Sequence, residues 1–411
     1  MNGRAQPRFF YGYVVVMAGF LILVVMYGTL YAFGVFLGPV LREFGWTRAT
    51  TSGAYSLCFL LSGAVAVAAG RLSDRFGPRA VMSCSGLLLG LGYFLMARMS
   101  SVWELYLFYG TIVGVGMAGG IAPTLSTVAR WFVSRRGMMT GMTVAGTAMG
   151  TLITPGIASQ LVSVYDWRTS LTAIGVGVFI LIVGLAQLLV RDPRRMGLLP
   201  DGVKSPPAAG SNGPAAGPSL RQVVWTGSFW MLLAIYLCIG LCIQIVIVHV
   251  TIHAVGLGFS PGRGASILSM VGVGSFLGRI VGGGVSDRFG NKHTMIGALV
   301  LMGGGFIWLW VARELWRLYL FALVFGFTYG EILCMMSLYP AELFGLKSQG
   351  AILGMVVFAS TVGGSIGPVV AGRIFDITGS YDWAFMICTV ATMIGLGLTL
   401  CLQPPYHLRG L

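Results

Sequence analysis

The chain has 411 residues, of which 56% are hydrophobic and only 9% charged, with a net charge of +14. A soluble domain carries about 25% charged residues, so this composition excludes an ordinary soluble enzyme and points to a lipid environment. The positive charge does not read as nucleic-acid binding, because the arginines fall in short clusters between long apolar runs, where membrane topology accounts for them.

A membrane-spanning helix needs about 20 apolar residues. Read with that ruler, the first half predicts helices over 9–37, 49–70, 80–98, 102–128, 137–162 and 167–190. The first of these follows Arg4 and Arg8 but is longer than a cleavable leader, and reads as a membrane helix. Residues 191–221 interrupt the series with the run Ser205-Pro-Pro-Ala-Ala-Gly-Ser-Asn-Gly-Pro-Ala-Ala-Gly-Pro218, too rich in Pro and Gly to pack, which reads as a linker. Six more helices are predicted over 226–255, 263–285, 292–312, 315–343, 348–375 and 381–402. The expected fold is all-α and integral to the membrane, with twelve helices in two six-helix bundles at 1–190 and 222–411.

Internal repetition supports the same division. Ser73-Asp-Arg-Phe-Gly77 recurs as Ser286-Asp-Arg-Phe-Gly290, and Gly137, Gly141, Gly150 and Pro155 recur as Gly350, Gly354, Gly363 and Pro368, all 213 positions later. Tyr165-Asp-Trp167 recurs as Tyr381-Asp-Trp383 after 216. Matches at separated places with nearly constant spacing predict two pseudo-symmetric halves. With both termini placed in the cytoplasm, 17 of the 26 Lys and Arg residues fall on the cytoplasmic side and eight on the other. That excess predicts both termini inside, and the expected location of this multi-pass chain is the plasma (inner) membrane.

Two of the repeated stretches also resemble known sequences. Gly70-Arg-Leu-Ser-Asp-Arg-Phe-Gly-Pro-Arg79, between the second and third helices, and its copy Gly283–Lys292 resemble the signature loop of the major facilitator superfamily. The resemblance implies gating roles for Asp74, Arg75, Asp287 and Arg288. A carboxylate there can rest on a helix N-terminus of the other half as a breakable contact. A tight turn whose charges serve topology alone is the plainer alternative. Tyr31–Arg48, Trp131–Gly146 and Tyr339-Pro-Ala-Glu-Leu-Phe-Gly345 are similar to monocarboxylate transporters and oxalate:formate antiporter relatives, over nearly the whole chain.

Arg279 stands inside the eighth predicted helix, where a guanidinium costs at least about 2.5 kcal/mol unless it faces a cavity or a partner. In the resembled transporters an arginine of this helix, eight residues before the acidic position of the next loop, is implicated in binding the substrate carboxylate. Arg279 stands eight before Asp287. Its planar fork suits a carboxylate better than a lysine would. The alternative is an internal ion pair with Glu331, the other charge deep in a predicted span, which is also the candidate for a coupled proton. Tyr31, Tyr329, Thr143, Thr147, His249 and Ser360 are further candidates to line the site, against the commoner role of bonding a neighbouring backbone. Mammalian relatives carry a lysine in the first helix and an aspartate one turn before the arginine, where this sequence aligns Tyr31 and Ser275, so proton coupling does not transfer residue by residue.

The remaining motifs carry little chemistry. His249 and His253 lie one turn apart but have no third ligand in sequence, and the seven cysteines form no ligand spacing, so neither a metal nor a cofactor is expected. GxxxxGK[ST] is absent, which disfavours ATP as the energy source. The reading is of a monomeric secondary transporter that carries a small monocarboxylate such as lactate together with protons. The alternative is an exporter of amphipathic drugs, or an exchanger of another organic anion.

Overall fold

The structure of the chain, a computed structural model, describes residues 10–132, 135–202, 220–345 and 349–403. Within them are twelve long helices: α1 Gly12–Phe44, α2 Arg48–Phe76, α3 Pro78–Met96, α4 Val102–Trp131, α5 Arg136–Val164, α6 Trp167–Ala186, α7 Gly227–Gly256, α8 Pro261–Phe289, α9 Asn291–Val311, α10 Leu315–Phe344, α11 Gln349–Thr378 and α12 Asp382–Cys401. Each corresponds to one expected span. Most of the Pro/Gly-rich linker lies outside the described residues.

Eleven of the twelve are long and apolar enough to cross a bilayer. The exception, α5, has the length, at 29 residues, but its sequence alternates Gly and Thr with apolar residues. Two of its glycines, Gly146 and Gly150, face protein. A methyl group on Gly146 or Gly150 would meet the carbonyls of Phe20 or Val24 in α1, so polarity is tolerated where lipid does not reach.

The repeated signature differs from expectation in its local form. Ser73–Phe76 and Ser286–Phe289 are the last turns of α2 and α8 rather than loops, and a single glycine makes each connection. Gly77 and Gly290 have φ of +89° and +82°, a region that side chains disfavour, and Pro78 or Asn291 opens the next helix at once.

Helix pairing repeats with the sequence. In the first six helices α1 packs on α5 and α3 on α6; in the last six α7 packs on α11 and α9 on α12. The two groups meet through α2 against α11 and α5 against α8, which are equivalent pairs under the repeat. Small residues allow the closest approach. Gly274 and Gly278 of α8 lie against the carbonyls of Leu323 and Phe327, while Gly326 and Gly330 of α10 lie against those of Val271 and Ser275.

The start of α1 and the end of α12 share one end with both signature turns. Phe10 packs on Trp131 and Phe132, and the Lys292 ammonium donates to the carbonyls of Leu400 and Leu402 at 2.9 and 2.8 Å. The opposite end is called the far end below.

Candidate functional site

Arg279 lies ten residues before the end of α8, about 15 Å in from Phe289 at 1.5 Å per residue. Its Nη1 donates across to α5, to the Val144 carbonyl and the Thr147 hydroxyl, both at 2.7 Å. Its Nε is buried without a protein partner. The guanidinium is therefore anchored at one corner by the opposite half of the molecule and keeps donors in reserve. No ion pair with Glu331 forms among the described residues. Glu331 is buried where α10 crosses α8, its Cα and Cγ close to Gly282.

Aromatic hydroxyls gather beside the arginine. Tyr31 of α1 and Tyr329 of α10, both buried, bring their hydroxyls to 3.3 Å, and Tyr27 packs edge-on to Tyr31 at 5.8 Å between ring centres. Tyr27 is within electrostatic reach of both Tyr329 and Arg279. Next to this group the Tyr55 hydroxyl of α2 donates to Gln244 Oε1 of α7 at 2.8 Å, a second polar bridge between the first and last six helices. Arg279 is thus in contact with Thr147, and Tyr31 with Tyr329 and Tyr27, while Tyr55 pairs with Gln244.

Other expected residues lie elsewhere. The Thr143 hydroxyl turns back to the Met139 carbonyl in its own helix, and its methyl contacts Gly19 of α1. Ser360 sits where α11 crosses Gly240 of α7, backbone against backbone. His249 belongs to the far end, bonded at 2.9 Å to both the Tyr381 hydroxyl and the Pro368 carbonyl.

That far end is a polar closure between the two groups of helices. The Asp376 carboxylate at the end of α11 accepts the backbone N–H groups of Arg48 and Ala49, each at 3.0 Å, at the start of α2. A carboxylate at a helix N-terminus meets both unpaired donors and the positive end of the dipole. The Arg48 guanidinium lies 3.5 Å from the Phe375 ring centre and donates to the Tyr381 hydroxyl at 2.6 Å. At the signature-loop end, the side chains of Asp74 and Asp287 lie outside the described ones, while Arg75 and Arg288 are exposed beside Phe76 and Phe289.

Residues 19–283 and 257–409 match the family model of the Major Facilitator Superfamily. The chain belongs to the major facilitator superfamily of transporters. Its relatives include monocarboxylate transporter 13 of Bos taurus, 26% identical over 405 residues that cover 98% of this chain and 92% of the relative. The agnestins efflux protein of Paecilomyces divaricatus is 23% identical over 368 residues, covering 88% and 80%. A solved bacterial homologue of the human lysosomal transporter Spinster, inward-facing and unoccupied, has the same fold, with a TM-score of 0.70 at 15% identity over 97% of this chain and 95% of that one. Over nearly its whole length the chain is thus similar to proteins named monocarboxylate transporters.

For a major facilitator chain, the residues missed from sequence alone share one property. Each looks unremarkable until its partner is known. Gln244 had a readable signal as the lone amide in Ile243-Gln-Ile-Val-Ile-Val248, since polar groups inside apolar spans are costly. Tyr27 stands one turn before Tyr31 on the same face. Arg48 and Asp376 gave no signal, being ordinary charges at helix ends 328 residues apart.

Proposed function

We propose that this chain is a secondary transporter of a small, lactate-sized monocarboxylate, working by alternating access and coupled to protons. The observation that carries the proposal is Arg279: a guanidinium deep in a membrane helix, anchored through Nη1 to α5, with a buried Nε left for a ligand and no carboxylate among the described residues paired to it. A carboxylate entering that position loses water and gains charge-assisted hydrogen bonds from a fork already held in place. Tyr31, Tyr329 and Tyr27 then border the substrate's uncharged part. Glu331, a buried carboxyl on the neighbouring helix, is the proton carrier in this reading.

In the same reading residues 1–190 and 222–411 form two bundles joined by the 191–221 linker, as one monomer in the plasma (inner) membrane. The signature-loop end is cytoplasmic, in keeping with the excess of Lys and Arg there. Asp74, Arg75, Asp287 and Arg288 gate that end, and the Arg48, Asp376 and Tyr381 contacts hold the far end shut. The arrangement corresponds to access from the cytoplasm.

Uptake of labelled monocarboxylates into proteoliposomes, with and without an imposed pH gradient, tests the proposal. Accumulation of lactate-sized acids driven by inward proton flow is expected; transport indifferent to both acid and gradient contradicts it. The similarity to an efflux protein favours a second reading, export or exchange of a larger organic anion, for which the same assay run with preloaded vesicles shows counterflow without a pH gradient.

A further inference from the structure

Past α6 the chain is held to the bundle at three successive carbonyls. The Tyr11 hydroxyl donates to Leu188 and Arg79 Nε to Leu189, both at 3.0 Å, and Trp131 Nε1 donates to Val190 at 2.7 Å. Asp192 then caps the short helix Pro193–Met196 by accepting from the Arg194 backbone at 2.9 Å. This fixed path sets Arg191, Arg194 and Arg195 beside Arg130 of α4 around an open hollow of about 480 Å³, whose one acidic wall residue among the described residues is Asp192. The guanidinium groups of Arg191, Arg194 and Arg195 around one described carboxylate make it a site for a dianionic or monoanionic phosphate.

A second hollow adjoins it. Between α1 and α6 runs an open groove of about 310 Å³ lined by Tyr13, Val14, Met17 and Leu21 on one side and Leu185 and Leu188 on the other. Met17 is more than half exposed, so the groove faces outward from the bundle. Only Leu189 and Val190 lie between Leu188 of the groove and Arg191 of the hollow, and the Tyr11 and Trp131 rings pack together beside this stretch. Aromatic rings at the headgroup level of a bilayer are a general feature of membrane proteins. Arginines serving topology alone require neither a shaped hollow nor an apolar groove leading from it.

We propose that the hollow beside Arg130 and the α1/α6 groove form one binding site for an anionic phospholipid, its phosphate on the guanidinium groups of Arg191, Arg194 and Arg195 and an acyl chain along the groove. The charge complementarity selects an anionic headgroup, and the groove selects a lipid over a soluble phosphate. The inference is independent of what the central site transports.

The test uses the purified full chain and native mass spectrometry with phosphatidylglycerol and phosphatidylcholine. Wild type is expected to retain phosphatidylglycerol preferentially. Each basic side chain near an anionic surface accounts for about fivefold, so the combined Arg191→Gln, Arg194→Gln and Arg195→Gln variant is expected to lose about a hundredfold of that preference. Met17→Trp, which fills the groove and leaves the charge intact, is expected to weaken both lipids. Undiminished preference in the triple variant overturns the proposal. So does competition by inorganic phosphate at a concentration equal to the lipid's. A photoreactive phenylalanine analogue at position 17 in native membranes is expected to capture lipid; capture of a polypeptide instead overturns the assignment.

Discussion

Replacing Asp376 by Ala removes the acceptor of two backbone N–H groups, those of Arg48 and Ala49, at the exposed far end. A hydrogen bond contributes a net of about 0.5–1.5 kcal/mol, so the pair is worth about 1–3 kcal/mol toward far-end closure, without counting the helix dipole. At about 1.4 kcal/mol per factor of ten, the equilibrium between closed and open far ends moves about 5- to 150-fold toward open. The closure is weakened, not abolished, because the Arg48 guanidinium keeps its place over Phe375 and its bond to Tyr381. Ser52, fully buried below the closure and beside His249, reports the change. A Ser52→Cys chain in a background free of other cysteines is expected to react with an impermeant thiol reagent faster by that factor once Asp376→Ala is added. An unchanged labelling rate in a well-folded double variant would refute the assignment of these contacts to closure.

Two further changes probe separate parts of the account. Glu331→Gln is expected to abolish accumulation driven by a pH gradient while leaving exchange of substrate for substrate, measured in the same proteoliposomes; full accumulation moves the proton to another group. Gly278→Val places a side chain against the Phe327 carbonyl, and overpacking of this kind costs about 1–3 kcal/mol, so the detergent-solubilised variant is expected to melt at a clearly lower temperature than wild type. An unchanged melting temperature shows that α8 and α10 separate freely.

Much of the fold could be read from the sequence because lipid makes a harsh demand: each span must be long and apolar. The repeat then fixed the pairing logic. What hydropathy could not foresee is that α5, the least apolar span, is shielded by α1 and α8, or that the signature residues close a helix instead of forming a loop. Both follow from local sterics at Gly146, Gly150, Gly77 and Gly290.

The site was legible in proportion to the cost of its residues. Arg279 and Glu331 announced themselves as charges among apolar neighbours, yet sequence left open whether they pair. The structure answers this: the glycine row at 274, 278 and 282 packs α10 on α8, and Arg279 bonds to α5 with no ion pair to Glu331. His249 and Thr143 looked equivalent to Tyr31 as polar lining candidates. Depth and helix face distinguish them, and those depend on partners more than a hundred residues away.

The central claim is that Arg279 binds the substrate's carboxylate, and a binding titration on purified variants tests it most directly. Losing a hydrogen bond to a charged group costs about 1.5–3 kcal/mol, roughly ten- to hundredfold in affinity for each bond. Arg279→Lys, which keeps the charge but not the fork, is expected to bind a lactate-sized acid at least tenfold more weakly, and Arg279→Gln to lose nearly all binding, while an uncharged ligand of the same shape changes little. Wild-type affinity for the carboxylate in folded Arg279→Gln contradicts the claim and leaves the residue as a strut between α8 and α5.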